Sequence, residues 1–582
     1  MDMRDITIWV AGANGDGVES SGDLISKFFL KQGYQIFAYR SYQSIIRGGH
    51  VWYQIRVGDH ELHSHGDKIN ILIAINQDAI DNQAAHLADK AVVIYDASKT
   101  NVDKLKGTDA KLIDVPMLDI VVKNGGDPIL RNVVAIGAML KVAGQDISAF
   151  DKTITERFGR KGEQVVRNNI NAAAAGYNYN TVLTVFNVKP DGKRRYMMDG
   201  NSAIATGAFA AGCRFYSAYP MTPASTILQW FTANSQHGIL AKQTEDEIAA
   251  ICMAIGAASA GARAMCGTSG GGFSLMAEAL GLSGMLEVPI VVVDAQRGGP
   301  STGLPTKTEQ GDLLFAMHAG QGDFPKIVMA PRSTQECFAM GAEAFNLAER
   351  YQCPVIIMTD LYLAEYLKSV DSFPVDGVTI DRGKIAIPSE SGKFKRYEIT
   401  EDGISPRAYA GMPGTMFVAA SDDHDEDGMV ITDYYAGIDK YVSVRKHMHE
   451  KRMRKMDTML KREKIFVPQI DGEKADYFIA TFGSTTESVI EAKELLAAEG
   501  ISIGIISFPY IMPMDGAKTL DVLKGKKIID VECNYTAQLA QVIRTNTGLE
   551  IKNKILKYDG EAITGMEIAA KAAEIIKNAK EW

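Results

Sequence analysis

A chain of 582 residues is too long for one hydrophobic core, so two to four domains are expected. Hydrophobic residues make up 46% and charged residues 23%, an ordinary soluble globular balance, and a net charge of −9 argues against a nucleic-acid binder, whose footprint is basic. The start, MDMRDITIWVAG, has no long apolar run of the signal-peptide kind, and the longest apolar stretch, around Ile248 to Ala262, is shorter than a bilayer span. The cysteines Cys213, Cys252, Cys266, Cys337, Cys353 and Cys533 are scattered, with no C-x-x-C spacing for zinc or an iron–sulfur cluster. A reducing cytoplasm, no membrane helix and no metal site on this chain are the expectations.

In chain order, residues 1 to about 180 read as one α/β unit. Short β-branched runs at Ile6–Val10, Ile69–Ile75 and Ala91–Tyr95 alternate with helical stretches such as Gly17 to Leu30 and Asp78 to Ala88. Such alternation predicts parallel strands with helices on both faces. NAAAAGYNYN, Asn171 to Asn180, and KPDGKRR, Lys189 to Arg195, read as an exit and linker. A second α/β unit starts near Tyr196 and runs to about Asp371, with strands in ARAMCGT, PIVVVDA and PVIIMTD. From Ser372 to about Lys464 long loops precede a basic helix, RKHMHEKRMRKMDTMLKREK, expected to be a solvated or inter-subunit element. A third α/β unit runs from Ala475 to the end. The expected domains are 1–185, 196–440 and 474–582, with the basic helix and a linker at 441–473.

The first run ends in GANGDGV, whose Gly15-Asp16-Gly17 is how many thiamine-diphosphate enzymes begin their magnesium-diphosphate loop. That loop also needs an Asn downstream, because oxygen ligands from both residues hold the ion. The corresponding stretch, Phe37 to Trp52, contains no Asn, so the magnesium reading fails. What remains is a strand, a turn through Gly12, Gly15 and Gly17, and a helix start, which offers N–H groups to an anion or is simply a tight turn.

The second unit carries more specific signals. AYPMTPAS, Ala218 to Ser225, sets Thr222 between two prolines that rigidify the backbone. QTEDEIAAICMAIGAAS follows, with helical spacing and acids in its first turn. GTSGGGFSLMAEAL is a Gly-rich turn into a helix, and DAQRGGPSTGLPTKTEQGDL places Arg297, Thr306 and Lys307 in a loop after a buried strand. Ligands in open α/β sheets sit outside the carboxyl ends of the strands, where all four segments are expected.

The set YP-x-TP-x-S, E-D-E-x-A-A, TSG-x-GF-x-LM-x-E and QR-x-GPSTG-x-PT resembles the α subunit of 2-oxoacid:ferredoxin oxidoreductases, most closely the 2-oxoglutarate type. HDEDG at His424 to Gly428 resembles a later loop of that family. The first unit, with GANGDGV and SYQSIIRGG, resembles its γ domain fused in front, and the last a transketolase C-terminal-like domain. Met221 and Ala224 depart from the usual YPITPSS, and Gly271 from TSGPG, which bears on substrate choice more than on reaction type.

The resemblance implies thiamine diphosphate shared with a β subunit that supplies magnesium and a [4Fe–4S] cluster, an (αβ)2 assembly, coenzyme A as co-substrate and ferredoxin as electron partner. It implies that Glu247 is the carboxyl group at N1′ of the cofactor's pyrimidine, with Glu245 its competitor on another helix face. Tyr219, Pro220 and Thr222 line the cofactor. Thr222 and Arg297 hold the substrate carboxylate and oxo group, the planar Arg fork suiting a carboxylate. Thr306 is a pocket residue linked with substrate choice, and Lys307 is a candidate for a second carboxylate. Gly12, Gly15, Gly17 and Arg47 are candidates for coenzyme A or the site mouth, while His63 and His65 lack partners of metal spacing. Competing readings are the same reaction on pyruvate or a branched-chain 2-oxo acid, a non-catalytic CoA- or nucleotide-binding docking subunit, and a self-contained thiamine decarboxylase, which the missing Asn disfavours.

Overall fold

The computed structural model describes residues 4–43, 48–123, 126–179, 186, 188–388, 394–579 and 581–582. The chain forms two compact units, Met1–Met198 with Tyr366–Ser372, and Asp199–Glu365 with Phe373–Trp582.

Among the described residues of the first unit, eight strands form one sheet. Their spatial order is Lys111–Asp114, Leu87–Tyr95, Ile69–Ala74, Asp5–Asn14, Gly48–Gly58, Gln35–Ser41, Leu367–Val370 and Tyr196–Met198. The sheet is mixed, correcting the expected all-parallel pattern. Asp5–Asn14 is parallel to Ile69–Ala74 on one side but antiparallel to Gly48–Gly58 on the other, and Gly48–Gly58 is antiparallel to Gln35–Ser41. This hairpin is hard to read because polar residues interrupt its apolar runs: Gln54 is completely buried, donating to Gly66 O at 2.8 Å. The stretch expected as an exit segment, Asn171 onward, instead continues the helix Glu163–Tyr179, with Ala172, Ala173 and Gly176 buried. Alanine is the strongest helix former, and a buried face settles the choice. The KPDGKRR segment is pinned by Arg195, which pairs with Asp191 at 2.5 Å and with Asp371 at 2.9 Å.

Among its described residues the second unit holds two sheets. The larger has the order Tyr510–Met512, Ile327–Met329, Val355–Asp360, Val291–Gln296, Arg263–Thr268, Cys213–Ala218, Leu240–Gln243. Its strands are parallel except for the Tyr510–Met512 edge. Strands such as VVVDAQ are buried at every position, the signature of a parallel sheet covered on both faces. The smaller sheet orders Gln469–Asp471, Ile503–Ser507, Tyr477–Thr481, Ile528–Glu532 and Asn553–Leu556. A single apolar cluster joins the two, uniting Phe273, Val292 and Ile356 with Phe478, Ile506 and Leu539.

The basic helix spans Ile438–Arg462 and is not a solvated element. Met448, Lys451, Arg452, Lys455 and Met459 are buried within the unit, and the Lys451 and Lys455 ammonium groups both reach Glu287 at 2.6 Å. Its charges read as solvated because burial of a lysine requires a partner that lies far away in sequence. Among the described residues no helix is long and apolar enough to cross a membrane.

Candidate active site

Four parallel strands of the larger sheet end at Ala218, Gln243, Thr268 and Gln296, and the four sequence segments begin at those ends. Because the strands run the same way, the segments share one edge of the sheet, the place where open α/β sheets receive ligands.

Glu247 opens the helix Glu247–Ser259, capped by Asp246, whose carboxylate accepts from Ala249 N–H at 2.7 Å. Glu247 is 3% exposed. Its Oε1 accepts from Thr268 Oγ1 at 3.3 Å, and the same hydroxyl lies 3.7 Å from Met221 Sδ. Glu245, the competitor, is exposed. The loop after Ala218 contains a cis Thr222–Pro223 peptide, and Arg297 Nη1 donates to Thr222 O at 2.8 Å. Thr222 and Arg297 are both half-buried, while Tyr219 and Pro220 are exposed. The structure therefore brings together Glu247, Met221, Thr222 and Arg297, which the chain separates by as many as 76 positions.

Gly272 lets the next helix pack close against this arrangement. A Cβ placed there would lie 2.1 Å from Thr268 Oγ1 and 2.3 Å from the Glu247 carboxylate, so any side chain would collide with that acid and its hydroxyl donor. Three further residues have roles that sequence reasoning missed. The buried Asn201 donates to Pro223 O at 2.9 Å and to Thr226 Oγ1 at 2.8 Å, fixing the Thr222 loop from beneath. Thr268 bridges two segments, and its signal is its place at the strand end before the glycine triplet. Asp294 is completely buried in its strand, with both carboxylate oxygens unpartnered among the described residues. Burial, with the Asp312 charge adding, holds it well above the usual carboxylate range. Burial likewise pushes Asp312 up to about 6. Nothing in PIVVVDA marks that acid, because the Asp312 charge that adds to its shift lies outside that run.

The remaining candidates are placed more loosely. Thr306 lies half-buried in a turn closed by Lys307 N–H donating to Leu304 O at 3.1 Å. The Lys307 ammonium is engaged by Glu561, so it is not an unpaired cation waiting for a second substrate carboxylate.

In the first unit, Gly15 and Gly17 take φ of 98° and 79°, the left-handed region that favours glycine, and Gly17 leads into the helix Val18–Lys31. Asp16 is spent on holding this turn: it accepts from Ala13 N–H at 3.1 Å, Asn76 at 3.2 Å and Arg131 at 2.9 Å. Gly12 packs close to Ile75 and Val18. A cavity of about 420 Å³ opens beside the turn, lined by Asn14, Gly15, Gly17, Ser20, Arg40 and Tyr42 among others. Arg47 lies outside the described residues. The His65 ring packs against Tyr39, with centroids 5.4 Å apart.

Comparison with known proteins agrees with this order of parts. The family model described as "Pyruvate ferredoxin/flavodoxin oxidoreductase" matches residues 7–179. "Pyruvate flavodoxin/ferredoxin oxidoreductase, thiamine diP-bdg" matches 206–443, and "Transketolase, C-terminal domain" matches 468–574. The chain is 33% identical to the 2-oxoacid:ferredoxin oxidoreductase subunit alpha of Sulfolobus sp, over 98% of this chain and 97% of that one. It is 34% identical to the 2-oxoglutarate synthase subunit KorA of Methanothermobacter thermautotrophicus, over 63% of this chain and 95% of that one. Among solved structures, 2-oxoglutarate:ferredoxin oxidoreductase from Magnetococcus marinus, with 2-oxoglutarate, coenzyme A and succinyl-CoA bound, superposes with a TM-score of 0.91 at 33% identity, covering 99% of this chain and 100% of that one. The chain belongs to the α subunits of the 2-oxoacid:ferredoxin oxidoreductases, a thiamine-diphosphate family, and carries a γ-type domain at its N-terminal end.

The site accommodates that cofactor chemically. A buried carboxylate with a hydroxyl donor at 3.3 Å keeps acceptor capacity that a nitrogen heterocycle bringing its own hydrogen-bonding edge can use, and Gly272 lets the helix backbone lie against that acid without a clashing Cβ.

Proposed function

We propose that this chain is the α subunit of a coenzyme A-acylating 2-oxoglutarate:ferredoxin oxidoreductase. It converts 2-oxoglutarate, coenzyme A and oxidised ferredoxin to succinyl-CoA, CO2 and reduced ferredoxin, or runs the reverse carboxylation at the same site. The observation that carries this reading is the meeting of Glu247, Thr268, Met221, Thr222 and Arg297 at one edge of a parallel sheet. The choice of 2-oxoglutarate draws support from the KorA relative and from the Magnetococcus marinus enzyme named above.

In this reading Glu247 holds the proton-bearing contact to N1′ of the pyrimidine, and Tyr219, Pro220 and Thr222 border the ring. Thiamine diphosphate, when bound, supplies the carbon nucleophile and electron sink that decarboxylation needs. Arg297, already oriented by its bond to Thr222 O, presents its guanidinium to the C1 carboxylate of the substrate. Asn201 keeps the Thr222 loop from drifting when that carboxylate arrives. Thr306 borders the distal end of the substrate. The turn through Gly12, Gly15 and Gly17, with its adjoining cavity, receives coenzyme A. Magnesium and the [4Fe–4S] cluster reside on a β subunit in an (αβ)2 assembly, so this chain acts only with that partner.

Co-expression with the β subunit tests the reading. A brown complex that reduces a viologen dye with 2-oxoglutarate and coenzyme A is expected, with slower turnover on pyruvate and branched-chain 2-oxo acids. Stoichiometric iron on this chain alone, or pyruvate as the better substrate, would overturn the division of labour or the substrate assignment, respectively.

A further inference from the structure

Around two buried carboxylates of the second unit, Glu287 and Glu349, basic side chains outnumber the acids they meet. Glu287 is completely buried and meets Lys451 and Lys455, each at 2.6 Å, while its backbone oxygen accepts from Arg396 Nη2 at 2.7 Å. Glu349, 2% exposed, meets Arg263 at 2.9 Å, Arg407 at 2.8 Å and Arg382 at 3.1 Å. Two buried carboxylates thus meet five cationic side chains, with Arg396 on the backbone oxygen of one of them. Burial pushes Lys451 down to about 7, so a lysine can shed its proton and relieve part of this excess. An arginine has no such exit, because its guanidinium stays protonated in proteins.

The strain of that arrangement falls at one place. Arg396, Tyr397 and Arg407 line a cavity of about 50 Å³, together with Ser259 and the apolar side chains of Leu286, Val288 and Phe417 among others. Arg396 is 2% exposed and Arg407 is 4% exposed. Arg396 Nη1, Arg407 Nε and Nη1 and the Tyr397 hydroxyl are buried, and none has a hydrogen-bond partner among the described residues. These three lining residues thus carry three unpartnered N–H-bearing nitrogens of two permanent cations and one unpartnered hydroxyl. A buried guanidinium nitrogen without a partner loses its hydration with no return, a cost of about 1–3 kcal/mol or more for a charged group. Apolar closure of the space leaves that cost in place. A bound anion removes it by accepting several N–H bonds and neutralising part of the charge excess.

We infer that the cavity bordered by Arg396, Tyr397 and Arg407 is a structural binding site for a small monovalent inorganic anion of chloride size. The volume suits a halide, and the two guanidinium groups in the lining donate only and carry the positive charge that selects an anion. The segment carrying these residues comes from the long-loop region between the second α/β unit and the basic helix. The same cavity is lined by Ser259, at the end of the helix Glu247–Ser259, and by Val288, just before the strand Val291–Gln296, so the anion sits where that region packs on both.

The test uses the full chain in its purified complex, with chloride and bromide as probes. At constant ionic strength, exchanging gluconate for chloride should raise Tm saturably by about 2–5 °C, the scale of a site filled well above its dissociation constant. Crystals transferred to bromide should show an anomalous peak within hydrogen-bonding distance of Arg396 Nη1 and Arg407. Arg407→Gln also breaks the pair with Glu349 and so can unfold the region for that reason alone. Tyr397→Phe avoids the difficulty, since it deletes only an unpartnered hydroxyl; it should leave the fold intact and raise the chloride concentration at half-saturation severalfold. Equal Tm in gluconate and chloride, or a bromide-free cavity at high bromide, would overturn the site. So would a chloride effect that Tyr397→Phe leaves unchanged.

Discussion

Gly272→Ala places the smallest possible probe against the acid assigned to the cofactor. The added methyl would lie 2.3 Å from Glu247 Oε1 and 2.1 Å from Thr268 Oγ1, against a closest real approach near 3.0 Å. The carboxylate must retreat by at least 0.7 Å and the hydroxyl by 0.9 Å, the differences between those distances. Both groups are buried, so neither has solvent to retreat into. A misplacement of about 1 Å in a catalytic constellation costs on the order of 10²-fold in rate, and we expect kcat to fall by about that factor. Stability carries two opposing contributions. Ala in place of Gly within a helix gains about 0.5–1 kcal/mol, while overpacking costs about 1–3 kcal/mol. The net loss is small enough for the variant to fold. Gly271→Ala is the control: its Cβ would meet only Ser301 O, at 3.8 Å, an ordinary contact. It carries a similar helix-propensity gain without the overlap and should keep near-wild-type turnover. Steady-state viologen reduction by the two complexes, with circular dichroism and melting curves, measures all of this. If Gly272→Ala turns over at the wild-type rate, Glu247 is not the acid that the reaction uses.

Three further outcomes are expected. Glu247→Gln should lower kcat by about 10²–10⁴-fold in an intact complex while Glu245→Gln, on an exposed position, has little effect; the reverse ranking would shift the assignment by two residues. Arg297→Lys loses the two-pronged donor set as well as the oriented bond to Thr222 O, so kcat/KM should fall about ten- to hundredfold. A common fall for 2-oxoglutarate and pyruvate marks a grip on C1, and a selective fall for 2-oxoglutarate marks the distal carboxylate. The Asp294–Asp312 pair gives a pH signature. Folding raises both carboxyl groups above their unfolded range, so the folded state holds more protons, and this stability is present at low pH and lost as pH rises through the folded values. For Asp312, moving from 3.8 to about 6, the loss amounts to up to about 3 kcal/mol. Tm should therefore fall with rising pH across that window. Asp294→Asn should flatten the fall, and an unchanged slope would remove the pair as its source.

Much of this protein is legible in its sequence because local patterns bear local information. Apolar β-branched runs mark the parallel strands of the second unit, since a strand covered on both faces must be apolar throughout. The four site segments are legible because prolines, glycine triplets and an Asp at a helix start constrain the backbone where they stand. Tertiary structure alone decided the rest. The hairpin Gln35–Ser41 with Gly48–Gly58 is hidden by polar residues whose partners lie elsewhere, as with Gln54. The Ala-rich end of the helix Glu163–Tyr179 reads as a linker until the face it buries is known. The lysines of the basic helix look solvated because their carboxylate, Glu287, is 164 positions from Lys451. Asp294 looks like any strand acid, yet burial beside Asp312 makes it a proton holder. Periodicity records which face of an element is buried. It does not record which distant side chain lies against that face, and that pairing sets charge, protonation and the close packing beside Glu247.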